Sequence, residues 1–421
     1  MRKARAMACE FVTPGHPDKV CDQMADAILD AAMAVNPLSR VAMEVTGGHG
    51  LVAVIGEMNM DPEGKMKTRP VLDIGEIVRK TYADIGHDHP LGVFVNVVVQ
   101  SPDIAKGVNE TQGKEQGAGD QGIMVGYAVN DGRNCMPKTW TTARMLCERM
   151  RELREHKILP YLRPDGKSQV TMAGDRVTHV TLAAHYSEDD VVAHMREARS
   201  DDATLAQIRK ALDQLRGERL DHLREDRLDD TGRALLRQIR ASILAHVRNA
   251  LIAHAVRHVV PDLSPNSIVV NGTGRFVQGG FDADAGTTGR KLMVDNYGPN
   301  VEVGGGCYSG KDPSKVDRSA AYFCRMVAKS IVAGGHANEA IVKVAFAIGQ
   351  EEPTLISVET DLPEAHAVKL EQKVGETFDF RPKAMIERLG LLRPEGWCYR
   401  DIAAAGHYGD DRFPWEQVVP L

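Results

Sequence analysis

Three consecutive glycines, Gly304-Gly305-Gly306, make a backbone too permissive for a regular helix or strand. They open a segment that continues Cys307-Tyr308-Ser309-Gly310-Lys311-Asp312-Pro313-Ser314-Lys315-Val316-Asp317-Arg318. A flexible glycine loop lets backbone N–H groups approach an anion closely. Lys311, Lys315 and Arg318 offer cations to phosphate oxygens, and the aspartates offer oxygen ligands to a hard cation such as Mg²⁺. The segment therefore predicts a polyphosphate site, against the plainer reading of a solvated glycine turn. It is not a P-loop. Gly305, Gly310 and Lys311 match Gly-x-x-x-x-Gly-Lys-[Ser/Thr], but Asp312 stands where a Mg²⁺-binding hydroxyl is required.

The chain of 421 residues is long enough for roughly two to four domains. A net charge of -6 argues against a general nucleic-acid binder. Seven scattered cysteines without a Cys-x-x-Cys pair argue against a disulfide framework or a zinc site and predict a reducing, cytoplasmic setting. The basic start, Met1 to Met7, is followed by no apolar stretch of signal-peptide type. No run is long enough to span a bilayer.

Helical and strand patterns alternate, which predicts an α+β fold. Apolar spacing predicts helices over Asp18–Met33 and Ser319–Val332. Strands are expected at Val41–Val45 and Leu51–Ile55, as a hairpin around Gly47-Gly48-His49-Gly50. The β-branched run Val93–Val99 predicts a buried strand. Further strands are expected at Gln169–Met172, Val177–Ala184, Ser267–Val270 and Lys291–Val294. From Ser187 to about Val260 the chain is charge-rich, proline-free and helical in pattern, with Leu205, Ile208, Leu212 and Leu215 and then Leu236, Ile239, Ile243, Val247 and Leu251 on one stripe. It predicts a helical hairpin packed on its domain, with Gly217 and Gly232 as breaks, acting on stability or assembly rather than on chemistry.

Other loops carry the same equipment. Gly15-His16-Pro17-Asp18 precedes the first helix, where free N–H groups face outward; the alternative is Asp18 as a helix cap. Gln116–Gly122 places three glycines around Asp120, without the spacing of a dinucleotide fingerprint. Leu162–Ser168 reads as a tight turn carrying Lys167. Gly272-Thr273-Gly274-Arg275-Phe276 offers a cation and an aromatic face for a base, against the alternative of a core phenylalanine. Asp284–Lys291 adds Arg290 and Lys291 on a flexible turn.

These stretches resemble the S-adenosylmethionine synthetase (methionine adenosyltransferase) family. The matching segments are Gly15–Asp22, QGAGDQGIMVGYA at 116–128, LPYLRPDGKSQV at 159–170, GTGRFVQGG at 272–280, Asp284–Tyr297, GGGCYSGKDPSKVDRSAAY at 304–322 and GHYGDDRFPWE at 406–416. The resemblance implies three similar α/β domains about a pseudo-threefold, over residues 1–103, 116–278 and 280–413, with a helical insertion at about 187–260. It implies attack of methionine sulfur on C5′ of ATP, loss of triphosphate, and hydrolysis of that triphosphate.

By the resemblance, His16, Lys167, Arg290, Lys291, Lys311 and Lys315 face the triphosphate. Asp165, Arg275, Phe276, Asp284 and Cys307 also bind ATP, with Arg275 and Phe276 at the adenine. Glu57, Gln100, Asp120, Asp284, Lys315 and Ile348 surround methionine. Asp18 and Asp317 are the implied Mg²⁺ ligands and Glu44 the K⁺ ligand. Residues 100–109 resemble a mobile gate. The implied assembly is a homodimer with shared active sites, or a pair of such dimers, without nucleic acid or membrane. The chain departs from the family at Thr13-Pro14, at Gly280–Asp284, at Val303 and at Cys307-Tyr308. It also lacks a lysine shortly after Glu44, where Gly47-Gly48-His49 stands. None of these departures removes a phosphate- or metal-binding residue. A non-catalytic homologue would have lost the cations and acids, and a plain triphosphate hydrolase would not need Glu57, Gln100 and Ile348.

Overall fold

A computed structural model describes residues 6–66, 71–99, 115–197, 202–215 and 219–421. The chain divides into two compact units, each made of two stretches: Met1–His16 with Thr142–Ala283, and Pro17–Thr141 with Asp284–Leu421.

In the first unit, Ala6–Val12, Leu162–Ala173 and Arg176–Tyr186 pair antiparallel, and the short strand Ile268–Val270 adds in parallel. Val180, Leu182, Ala184 and Tyr186 alternate inward, the period of two that a half-buried strand requires. Leu162–Ser168, expected as a turn, is instead the start of a strand, with an irregularity in pairing between Leu162 and Gly166. Pro164 sits in that irregularity. It has no N–H for the ladder, and its carbonyl is taken by the Thr13 hydroxyl at 2.6 Å.

The charge-rich region is not a simple hairpin. It folds into the helices Glu188–Glu197, Asp202–Gln214 and Asp230–Leu251, the last running on into a π-helical turn at Ile252–Val256. Leu236, Ile239, Ile243, Val247 and Leu251 are all buried, as the stripe requires. Gly232 does not break this helix. It lies in its first turn, where its N–H is capped by the Asp229 carboxylate at 2.7 Å. Gly217 lies outside the described residues.

The second unit holds two sheets. One runs Gly92–Val98, Leu51–Asn59, Arg40–Gly48, Gly286–Thr287, parallel only between the first two. Its hairpin turns at His49 and Gly50, with φ of 50° and 80°, the double left-handed turn that matches strand twist. The other sheet is Leu355–Thr360, Glu339–Phe346 and Gly122–Val129, all antiparallel. Helices Pro17–Val35 and Val316–Ala333 are buried along most of their length. Two expectations are corrected here. The Val93–Val99 run forms an edge strand, not a buried one: Phe94 and Val98 are 57% and 55% exposed. Its β-branched composition fits a strand with either environment, and among the described residues the sheet ends there. Lys291–Val294 is no strand; Leu292–Asp295 is a single helical turn. Among the described residues, three sheets with intervening helices give the α+β architecture.

Candidate active site

The second unit builds its charged centre on helix Pro17–Val35. Asp18, Asp22, Asp26 and Asp30 recur every fourth residue and so share one face. Each accepts backbone N–H groups from a distant loop. Thr287 donates to Asp18 at 3.0 Å, Gly289 to Asp22 at 2.8 Å, and Gly310 to Asp26 at 2.8 Å. Tyr399 and Arg400 donate to Asp30, both at 2.9 Å. Asp18 is therefore not a helix cap; its carboxylate holds a loop. This ladder was missed from the sequence, although four aspartates at i, i+4 spacing on an apolar helix were a visible signal.

The loops so held carry the expected cations. Lys291 reaches Asp18 at 2.5 Å and Arg290 reaches it at 3.2 Å. Arg290 remains half-exposed while Asp18 is buried. On the glycine loop, Lys311 pairs with Asp317 at 2.6 Å. Burial works against the charge on Lys311, but Asp317 outweighs it and raises the lysine pKa. Gly310 has φ of +82°, and a Cβ there would sit 2.2 Å from the Met43 carbonyl, so only glycine lets this loop lie along the strand Arg40–Gly48. A Cβ at Gly306 would fall 2.0 Å from an Asp317 side-chain oxygen, so a larger residue there would displace that carboxylate.

Lys315 is buried against Asp312, which also accepts the Val41 N–H at 2.8 Å and lies 3.5 Å from Arg40. Burial alone would raise the Asp312 pKa, but Lys315 and Arg40 bring it down to about 2. Lys19 bridges Asp22 at 3.1 Å and Asp295 at 2.6 Å, and burial pushes the Asp295 carboxyl up against the pull of Lys19. Burial raises the Cys307 thiol to about 11; Lys311 opposes this, and Glu44, Asp22 and Asp317 are near enough to add to it. Burial likewise raises the pKa of Glu44, with Lys311 opposing.

Asp120 and Ile348 come together through the backbone. Ala118 donates to Gln350 and Gly349 donates to Ala118, both at 2.8 Å, while Gly119 donates to the Ser314 carbonyl at 3.0 Å. Asp120 also contributes to the field on Lys311. Glu57 stands opposite Ala42, the residue that bridges Lys311. Glu44 and Glu57 lie on one face of their sheet, since Glu44 pairs with Ile55. Asp284 is exposed and accepts the Ala285 N–H. Gln100 and the expected gate at 100–109 lie outside the described residues.

The first unit carries the remaining residues. His16 is buried, and its N–H is bonded to Thr13. Asp165, buried, accepts the Gly280 N–H at 2.8 Å, and Lys167 is exposed opposite Val12. Phe276 is not a core residue. It is half-buried, with its ring stacked on His185 at 5.5 Å between centroids. Arg275 is gripped in a bidentate pair by the fully buried Glu188, both bonds at 2.9 Å.

Among the described residues, no three His, Cys, Asp or Glu side chains form a metal-binding group. Asp18 and Asp317 each stand as one carboxylate beside a lysine. That donor set suits Mg²⁺ arriving on substrate phosphates, which ordinarily takes only one or two protein carboxylates. Among the described residues, no helix is long and apolar enough to cross a membrane.

The centre is thus a set of cations and carboxylates paired on glycine loops within an α+β fold. Comparison with known proteins gives the family. The N-terminal domain of S-adenosylmethionine synthetase matches residues 4–102, its central domain residues 115–216 and its C-terminal domain residues 278–417. The chain is 41% identical over 437 residues to the S-adenosylmethionine synthases of Mycobacterium marinum and Mycobacterium ulcerans, covering 99% of this chain and 97% of each relative. It is 42% identical over 441 residues to that of Mycobacterium leprae, with the same coverage. The chain belongs to the S-adenosylmethionine synthetase family, the methionine adenosyltransferases.

Proposed function

We propose that the chain makes S-adenosylmethionine from ATP and L-methionine. The methionine sulfur forms a bond to C5′ of ATP as the C5′–O bond breaks, and triphosphate leaves with the electron pair. A thioether has no proton to lose, so this step needs no general base. Its barrier lies in the charge of the leaving group and in aligning sulfur with C5′. His16, Lys167, Arg290, Lys291, Lys311 and Lys315 neutralise the triphosphate, which water then splits into phosphate and pyrophosphate. Asp165, Asp284 and Cys307 also contact ATP, with Phe276 at its base. Glu57, Gln100, Asp120, Asp284, Lys315 and Ile348 position methionine.

The carrying observation is that Asp18 and Asp317 are each paired with cations of the glycine loops, Lys291 with Arg290 and Lys311. Asp18 and Asp317 would hold Mg²⁺ brought by the substrate phosphates, and Lys291, Arg290 and Lys311 would be released to the phosphate oxygens. Bound Mg²⁺ supplies additional neutralisation of the leaving group. Glu44 holds K⁺. An assay for S-adenosylmethionine from ATP and methionine tests the reading; ATP hydrolysis that ignores methionine would sink it. Activity is expected to vanish in a Mg²⁺ chelator and to rise with K⁺. Full activity in chelator rejects the Mg²⁺ sites, and indifference to K⁺ rejects Glu44.

We further propose a homodimer with shared active sites. Leu51, Ile55, Phe94 and Val98 lie exposed on one sheet face, and the paired register puts Glu44 and Glu57 on that same face. An apolar surface carrying site residues calls for a partner. The seven cysteines are all free, in keeping with a cytoplasmic enzyme.

A further inference from the structure

The helical region between the central and C-terminal family domains grips the loop assigned to the base. Residues 217–277 fall outside all three domain matches. Within them, helix Asp230–Leu251 holds the start of the loop. Arg248 donates to the carbonyls of Val270 at 2.9 Å and Asn271 at 2.8 Å. Asn271 has φ of 46°, and its side-chain amide closes on both backbone groups of Ala184. The loop's other end is tied as well. The Arg275 guanidinium spans Glu188 and the carbonyls of Leu220, at 3.3 Å, and Asp221, at 3.0 Å. Arg240, from the same long helix, bonds Glu188 at 3.4 Å and the carbonyls of Leu220 and Leu223 at 3.3 and 2.7 Å. Asp221 in turn accepts the Glu188 N–H and the Ser187 hydroxyl, at 2.6 and 2.7 Å. Only Phe276 follows, stacked on His185, with its carbonyl accepting the Tyr186 N–H at 3.0 Å.

We infer that Glu188, Arg240 and Arg248 are positioning residues for nucleotide binding, and that Arg275 serves this framework rather than contacting the base through its guanidinium. This rests on the reading above, in which Phe276 meets adenine. It revises two expectations: that Arg275 is a base contact, and that the helical region stands apart from the chemistry. A guanidinium holding a buried carboxylate in a bidentate fork with two carbonyls has spent most of its donors. Releasing it would leave the buried Glu188 charge with only the longer bond to Arg240. The loop is thus pre-set before nucleotide arrives, which lowers the ordering cost of binding.

The test compares Arg275→Ala, Glu188→Gln, their double variant and Arg248→Gln, each checked for folding by thermal melting. Two probes are titrated: the β,γ-imido analogue of ATP, and inorganic tripolyphosphate. Each single variant at the Glu188–Arg275 pair is expected to weaken the ATP analogue about tenfold, or about 1.4 kcal/mol, with the double no worse than either single. Tripolyphosphate affinity should stay within about twofold, and in turnover KM for ATP should rise while kcat at saturating ATP changes little. Arg248→Gln should move the same way and decides the matter if Glu188→Gln does not fold. Loss of the analogue in Arg275→Ala with none in Glu188→Gln would restore Arg275 as a base contact and overturn the inference. Equal loss of tripolyphosphate would also overturn it. A wild-type chain that binds neither probe rejects the proposed function itself.

Discussion

At the residue scale, Lys311 and Lys315 occupy one loop but differ in surroundings. Lys311 keeps part of its surface and pairs with Asp317, so Lys311→Ala should fold and lose on the order of 10²–10³ in turnover, as removal of one preorganised charge contact does. Lys315 is buried on Asp312. Lys315→Ala should lose turnover and also destabilise by on the order of 3 kcal/mol, because it leaves a buried carboxylate without its nearest cation. Urea melts of the two variants separate them; equal stability would reject the structural role of Lys315. Asp312 also sets a pH dependence. Its folded pKa of about 2 lies below the ordinary carboxylate value of about 3.9, so its contribution is fully present above pH ~4 and fades as pH falls toward 2. The shift is worth on the order of 2–3 kcal/mol, and Asp312→Asn should flatten the stability curve over that acid window. An unchanged acid limb would contradict this.

At the element scale, helix Pro17–Val35 organises the second unit by its charged face as much as by its apolar one. Asp26 meets Arg318 in a pair with no exposed surface on either side, at 2.6 Å. Arg318→Met should cost about 3–5 kcal/mol by stranding Asp26, whereas Arg318→Met with Asp26→Leu should recover a large part of it. Denaturation of the single and double variants decides; a double variant less stable than the single would reject the account. The expected helix over Asp18–Met33 was legible because Val20, Met24, Ile28 and their neighbours repeat at helical spacing. The use of its aspartates was not legible, because their partners are N–H groups between 267 and 370 positions away in sequence.

At the scale of the molecule, the exposed apolar sheet makes assembly the testable matter. Ile55→Glu with Phe94→Glu should lower the mass in solution to that of one chain and remove most activity, while each unit stays folded. A monomeric variant with wild-type turnover would show that the sites are complete within one chain.

The sequence by itself determined the family, the α+β class and the loops rich in glycine and charge, since composition and order carry those. It could not separate a buried strand from an edge strand at Val93–Val99, because β-branched residues suit both and only the strand order says which it is. It could not tell that Leu162–Ser168 continues a strand past Pro164, or that Leu292–Asp295 is helical, because short segments take their conformation from what they pack on. Nor could it tell that Arg275 is committed to Glu188. A guanidinium looks the same in a sequence whether it is free for a substrate or bound to a buried carboxylate 87 residues away. Only the tertiary structure brings the two together and so decides which charges remain available.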